Sequence, residues 1–345
     1  MERRKDEQTR QRYRETNSVS AQELIMPMFI KETLSSRREI ASMPGIYQFS
    51  PGEAAEEAKR IYDRGIPYVL LFGIPEKKDE IASCAYDPQG VAQRAIAGIK
   101  RAVPRLKVIG DVCMCEYTSH GHCGIIRGQR TEARGQKNNP ASALRLPPSD
   151  FIDNDKTIEI LARIAVSYAR AGVDMVAPSA MMDRQVGVIK QALLKHNYPQ
   201  VKIMGYSAKY ASDLYGPFRQ AAESPPAFAD RRSYQMDYHN SREAVVEARL
   251  DIEEGADIIM VKPAWGYQDI IYRLKRELGF PLACYSVSGE YAMIKSAASR
   301  GWLDEKKVVL EALTGFKRAG ADLIITYYAL QAATWLKTQQ TQQTQ

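Results

Sequence analysis

The stretch Asp257-Ile-Ile-Met-Val-Lys-Pro-Ala264 decides the fold. Its apolar run, Ile258 to Val261, reads as a strand buried on both faces, the kind that builds parallel sheets and barrels. Lys262 closes the run. A cation at that place either reaches back to water or works as a neutral amine. Desolvation, or a second cation nearby, lowers the pKa of a lysine and frees its lone pair for attack on a carbonyl. On this stretch alone both readings stand.

Outward from it the same pattern recurs. Apolar strands are predicted at Leu24–Ile30, Tyr68–Ile74, Leu106–Val112, Met175–Ser179, Val201–Ser207, Pro281–Ser288 and Leu323–Tyr328. Helical patterns separate them: Asp155–Ala171 before Gly172, Ser241–Glu254 before Gly255, and Asp304–Ala319 before Gly320. Eight buried strands with helices between them predict an α/β fold, a (β/α)8 TIM barrel, in preference to a doubly wound sheet. No Gly-rich dinucleotide fingerprint follows the early strands, and no fixed-period repeat or second domain is visible. The barrel is expected over residues 24–338, with an N-terminal arm over 1–23, a basic loop insertion over 127–148 and a disordered polar tail over 339–345. Barrel enzymes work at the C-terminal ends of their strands. Asp111, Ser179, Lys209, Lys262, Ser288 and Tyr327 lie at or just past such ends.

The chain has 345 residues, 45% hydrophobic and 26% charged, with a formal net charge of +7. That composition suits a globular protein, and the mild charge suits an anionic substrate as well as nucleic acid. No apolar run approaches a membrane span, and the N-terminus lacks the apolar core of a signal peptide, so the expected address is cytoplasmic, with no membrane partner. Five cysteines, three of them clustered, point to metal or catalytic use rather than disulfides.

Asp111-Val-Cys-Met-Cys-Glu-Tyr-Thr-Ser-His-Gly-His-Cys-Gly124 carries Cys113, Cys115 and Cys123. Thiolates suit zinc, and three of them leave a fourth position open for water or substrate. His120 and His122 lie beside them and are read as partners or packing groups. Lys209 ends the fifth strand, so it and Lys262 are expected to share one barrel mouth, where mutual repulsion favours a neutral amine. Tyr210–Gln235, with Gly216-Pro217 and Ser224-Pro-Pro226 and little helical pattern, reads as a mobile flap over that mouth. Arg219 and Arg231 within it suit a bidentate grip on a carboxylate.

These motifs, with Ser42-Met-Pro-Gly-Ile-Tyr47, Ala177-Pro-Ser-Ala-Met-Met-Asp183, Tyr206-Ser-Ala-Lys-Tyr-Ala-Ser212, Tyr215-Gly-Pro-Phe-Arg219, Asp230-Arg-Arg232, Val287-Ser-Gly-Glu290 and Ile325-Thr-Tyr-Tyr328, recur in order along nearly the whole chain. The sequence resembles the porphobilinogen synthase (5-aminolevulinate dehydratase) family. The resemblance implies condensation of two 5-aminolevulinate molecules to porphobilinogen with loss of two waters, a step of heme biosynthesis. It assigns the Schiff base to Lys262 and makes Lys209 the second active-site lysine. Ser288 and Tyr327 match the holders of the first substrate's carboxylate. Arg219, Arg231 and Gln235 match the binders of the second substrate, and Asp111, Ser179 and Tyr215 match further pocket members. Cys113, Cys115 and Cys123 match the ligands of the zinc-using branch. Glu247 matches the ligand of an allosteric magnesium in many relatives, and a homo-octamer is implied.

Two departures stand out. Ala180 occupies a variable acidic position, and Arg184 stands where relatives commonly carry Gly, which questions the local turn. A rival reading within catalysis is a class I aldolase, which needs no metal. Another is an inactive barrel binding zinc or nucleic acid through its basic loop. Retention of both lysines and all three cysteines favours the dehydratase reading, with no nucleic-acid partner.

Overall fold

The computed structural model describes residues 17–127 and 151–343. Eight parallel strands form its centre: β1 (Leu24–Lys31), β2 (Tyr68–Ile74), β3 (Lys107–Val112), β4 (Met175–Pro178), β5 (Lys202–Lys209), β6 (Ile258–Lys262), β7 (Leu282–Ser286) and β8 (Leu323–Thr326). Each pairs with the next, and β8 returns to β1 through Leu24↔Ile324 and Ile25↔Ile325, closing the barrel. Both faces of these strands are covered, by the barrel interior and by the helices, which is why the runs are apolar rather than alternating.

The helices are α1 (Ala54–Asp63), α2 (Val91–Ala102), α3 (Asn154–Ala171), α4 (Gln185–Lys195), α5 (Gly216–Ala221), α6 (Glu243–Glu253), α7 (Gln268–Leu278), α8 (Ser288–Ser299), α9 (Glu305–Ala319) and α10 (Ala329–Gln343). The Asp153 and Asp304 side chains cap α3 and α9 by accepting from the Lys156 and Lys307 amides. Both helices stop at glycines in left-handed conformation, Gly172 at φ 94° and Gly320 at φ 114°.

Several expectations are revised. The tail read as disordered from residue 339 is helical through Gln343, since Gln is a good helix former and no Gly or Pro intervenes. The flap contains α5 and a 3₁₀ turn at Asp213–Tyr215. A six-residue helix is too short to leave a readable period. That segment is also anchored. Glu223 forms ion pairs with Lys31 and Arg38, Gln48 Nε2 donates to Ala221 O at 2.7 Å, and the Phe218 amide donates to Ser288 Oγ at 2.9 Å. Phe218 meets Phe72 edge-on at 5.0 Å, above a stack of Phe29 and Phe72. The insertion over 127–148 lies outside the described residues except for Arg127, as does the arm before Asn17.

Arg184 keeps the turn that a glycine would favour. It precedes α4 at φ 65° and ψ 16°. A left-handed non-Gly residue carries about 1–2 kcal/mol of steric cost, and Gly is acceptable as an N-cap. Arg184→Gly is therefore expected to raise unfolding stability by about 1 kcal/mol, net of the backbone entropy Gly loses on folding. Urea titration at fixed pH checks this, and an unchanged or lowered midpoint contradicts it.

Candidate active site

Lys262 and Lys209 end adjacent strands and are register partners. The pairing shifts on the way: Ile259 faces Gly205, but Val261 faces Ala208, so β5 holds one extra residue. Without that bulge Lys262 would face Ala208 and Lys209 would turn to the other side of the sheet. The irregularity brings both amines into the barrel mouth.

The Lys262 side chain is buried in a cage of rings. Its Nζ lies 4.3 Å from the Tyr285 centroid, 5.1 Å from those of Tyr215 and Phe218, and 5.2 Å from Tyr206. The rings favour a cation. Burial opposes it more strongly, and with the nearby Lys209 charge it pushes the Lys262 pKa down to about 7, against the pull of Asp111, Cys115 and Glu116. The amine is therefore available as a nucleophile near neutral pH.

Lys209 Nζ donates to Ser179 O at 2.6 Å, and Ser179 Oγ donates to Asp111 Oδ2 at 3.1 Å. Burial, reinforced by Glu116, raises the Asp111 carboxyl to about 7, although both lysines oppose the shift. Tyr215 OH donates to Tyr210 O at 2.6 Å and to the Lys262 carbonyl at 3.3 Å, fixing the end of β6. Tyr327 OH and Tyr285 OH are 3.0 Å apart. Ser288, the first residue of α8, is engaged with the flap: besides accepting from Phe218, its Oγ donates to Leu214 O at 3.2 Å. Arg231 Nη2 donates to Gly121 O at 2.8 Å and Ser224 O at 2.6 Å, so it joins the flap to the cysteine loop. Five buried polar side-chain atoms in this segment have no protein partner: Arg219 Nε, Ser224 Oγ, Arg231 Nε, Ser233 Oγ and Gln235 Nε2.

Cys113, Cys115 and Cys123 are all buried, with their Sγ atoms within 4.8 Å of one another and Cys113 and Cys115 Sγ 3.4 Å apart. Their thiols are strongly coupled. Contacts with Cys113 and Cys115 hold Cys123 well below the usual thiol range, while burial lifts Cys113 and the Cys113 contact lifts Cys115. Three converging soft donors in a dry pocket fit a zinc ion, which would relieve the repulsion among three thiolates. The histidines are not ligands in this arrangement. His122 Nδ1 is 3.1 Å from Tyr234 OH and its Nε2 is 2.9 Å from Phe228 O, while His120 Nδ1 accepts from the His122 amide at 3.1 Å and its Nε2 is 3.3 Å from Glu80 O.

Glu247 stands apart. It lies on α6 and lines a separate cavity of about 170 Å³ with Asp183, Arg184, Asp251 and Glu254. Burial first, then Asp183 and Glu243, raises its pKa. Among the described residues no cluster of three ligand atoms within 4.8 Å includes it.

The structure adds residues that sequence reasoning passed over. Tyr206, Tyr285 and Phe218 build the lysine cage. Glu290 is buried and accepts from the Ala264, Trp265 and Val287 amides, tying the end of β6 to the start of α8. Glu116 is buried directly after Cys115. Its place inside the cysteine stretch was the one available signal.

Fold and site together define a (β/α)8 enzyme with a buried lysine pair at its mouth and a metal-fitting thiol cluster beside it. The family model described as delta-aminolevulinic acid dehydratase matches residues 1–335. The delta-aminolevulinic acid dehydratase of Synechococcus elongatus is 51% identical over 333 residues, spanning 96% of this chain and 97% of its own. That of Bacillus subtilis is 46% identical over 314 residues, spanning 91% and 90%. The crystal structure of the Toxoplasma gondii ME49 enzyme, in complex with the reaction product porphobilinogen, superposes with a TM-score of 0.87 at 39% identity, covering 97% of this chain and 91% of that one. The chain belongs to the delta-aminolevulinic acid dehydratase family and is a hydro-lyase of porphyrin biosynthesis.

Proposed function

We propose that this enzyme joins two 5-aminolevulinate molecules into porphobilinogen with loss of two waters, through an imine on Lys262. The observation that carries the reading is the Lys262 amine, caged by four rings and brought to a pKa of about 7. Its lone pair adds to the ketone carbon of the first substrate, and loss of water from the carbinolamine leaves the imine. Lys209, held by Ser179 O, is the second amine at the reacting carbon. Ser288 and Tyr327 are assigned to the first substrate's carboxylate, so substrate entry exchanges Ser288's bonds to the flap for bonds to the acid.

The unpartnered donors of Arg219, Arg231 and Gln235 support their assignment to the second substrate's carboxylate. Cys113, Cys115 and Cys123 would hold zinc, which supplies Lewis acidity toward a carbonyl oxygen. Asp111, tied to Ser179, is placed to accept protons near both lysines. Glu247 is assigned the allosteric magnesium, supported by the acidic lining of its cavity; magnesium commonly takes one or two carboxylates and keeps several waters. The reading includes a homo-octamer, supported by large apolar side chains exposed on the single chain, among them Val246, Leu250 and Trp302. It also includes a cytoplasmic address; no helix among the described residues is long and apolar enough to cross a membrane.

Colour formation from 5-aminolevulinate with and without a zinc chelator tests the function. Turnover that the chelator stops and zinc restores supports it; chelator-resistant turnover removes zinc, and no turnover with zinc present rejects the reading. Arg219→Ala and Arg231→Ala are each expected to raise the half-saturating 5-aminolevulinate concentration, by about 1.5–3 kcal/mol for a lost charged hydrogen bond. An unchanged concentration dependence in both variants excludes them from the site.

A further inference from the structure

Lys262 and Ser288 belong to different elements, the end of β6 and the start of α8. The imine and the carboxylate contact assigned to them must nevertheless fall on one substrate molecule. A single buried side chain joins the two elements at this point. Glu290, 0% exposed and in the first turn of α8, accepts from the Ala264 and Trp265 amides through Oε1, at 3.2 and 2.8 Å. Its Oε2 accepts from the Val287 amide at 2.9 Å. The first two amides follow Lys262, and the third precedes Ser288. One carboxylate thus binds both sides of the gap, and all three bonds need it as an acceptor.

The two ends are otherwise held unequally. Lys262 has its own supports: its carbonyl accepts from the Tyr210 amide at 2.8 Å and from Tyr215 OH at 3.3 Å, and Val261 before it pairs with Cys284. The contacts of Ser288 run to the flap. Its Oγ is bonded to Phe218 and Leu214, and at Gly289 an added Cβ would meet Leu214 O at 2.6 Å. Substrate entry exchanges those Ser288 bonds, so the flap is no fixed reference for the hydroxyl. We propose that Glu290 is a positioning residue that holds Ser288 at a set reach from Lys262. One keto acid can then meet the amine with its ketone and the hydroxyl with its carboxylate. This rests on the proposed lysine chemistry and deepens it.

Borohydride trapping with graded levulinate, and with butanone, which is levulinate without its carboxylate, tests the role. Trapping is read at about pH 8.5, above the value of about 7 to which burial raises the Glu290 carboxyl. Glu290→Gln keeps the side-chain length, but in either orientation its NH2 faces a backbone N–H. The wild type is expected to be half-saturated by levulinate at a lower concentration than by butanone. In Glu290→Gln the levulinate value is expected to rise by about 10- to 100-fold, as for a misplaced binding group, while the butanone value stays unchanged. A general loss of structure would weaken both alike. An unchanged levulinate value, or an equal rise for both ligands, overturns the positioning role. Should Glu290→Gln fail to fold, Glu290→Asp, which keeps the charge but is one methylene too short to span both sides, is read by the same criteria. No adduct with either ligand in the wild type rejects the lysine reading itself, and the positioning role with it.

Discussion

Lys262→Arg is expected to abolish imine trapping and lower turnover by about 10⁴-fold or more, equivalent to ~5.5 kcal/mol in the barrier. A guanidinium stays protonated at every working pH and offers no lone pair for the carbonyl. In the wild type the sign of the pH effect follows from the lowered pKa. Lys262 is neutral above about 7 and charged below it, so the trapping rate falls as pH drops through that value. An ordinary lysine would already be mostly protonated at pH 9. Trapping with an acid limb near 10, or an active Lys262→Arg variant, contradicts the assignment. Circular dichroism of the variant separates a lost amine from a lost fold, since a charged guanidinium in the ring cage also carries a desolvation cost.

Cys113→Ala, Cys115→Ala and Cys123→Ala form the second large effect. Each removes one of three converging thiols, and zinc affinity is expected to fall by more than the roughly 10- to 100-fold typical of losing an outer-shell partner. Turnover is expected to fall with it. The barrel should remain, because its closure through β8 and β1 and its apolar strands do not depend on the cluster. Metal analysis alongside circular dichroism distinguishes the outcomes. Full activity of a zinc-free preparation, or a variant that unfolds as it loses metal, contradicts a catalytic role for the centre.

The eight strands were legible because a parallel barrel buries both faces of each strand, and the sequence records that as unbroken apolar runs. The run Ile258–Val261 and the runs at 24–30 and 68–74 are of this kind. The stops at Gly172 and Gly320 were legible from the glycines themselves; the caps were not, since one helix is read from Asp155, two residues past its cap Asp153, and Asp304 is read as a helical residue rather than a cap. Lys262 and Lys209 could be placed at strand ends, but their shared facing depends on one extra residue in β5. A bulge leaves no compositional trace in Gly205-Tyr-Ser-Ala-Lys209. The cage was hidden too: Tyr206, Phe218 and Tyr285 lie on β5, α5 and β7 and meet only through the packing of those elements. Arg184 gave a conflict at the sequence level, and the structure resolves it by keeping the left-handed turn with a non-Gly residue.

The central claim is that the caged amine of Lys262 is the nucleophile. Borohydride reduction of the wild-type enzyme in the presence of 5-aminolevulinate, followed by peptide mass mapping, tests it most directly. The account predicts one stoichiometric adduct on the peptide containing Lys262, absent when borohydride or substrate is omitted. An adduct confined to Lys209, or labelling only at lysines away from the barrel mouth, would contradict it.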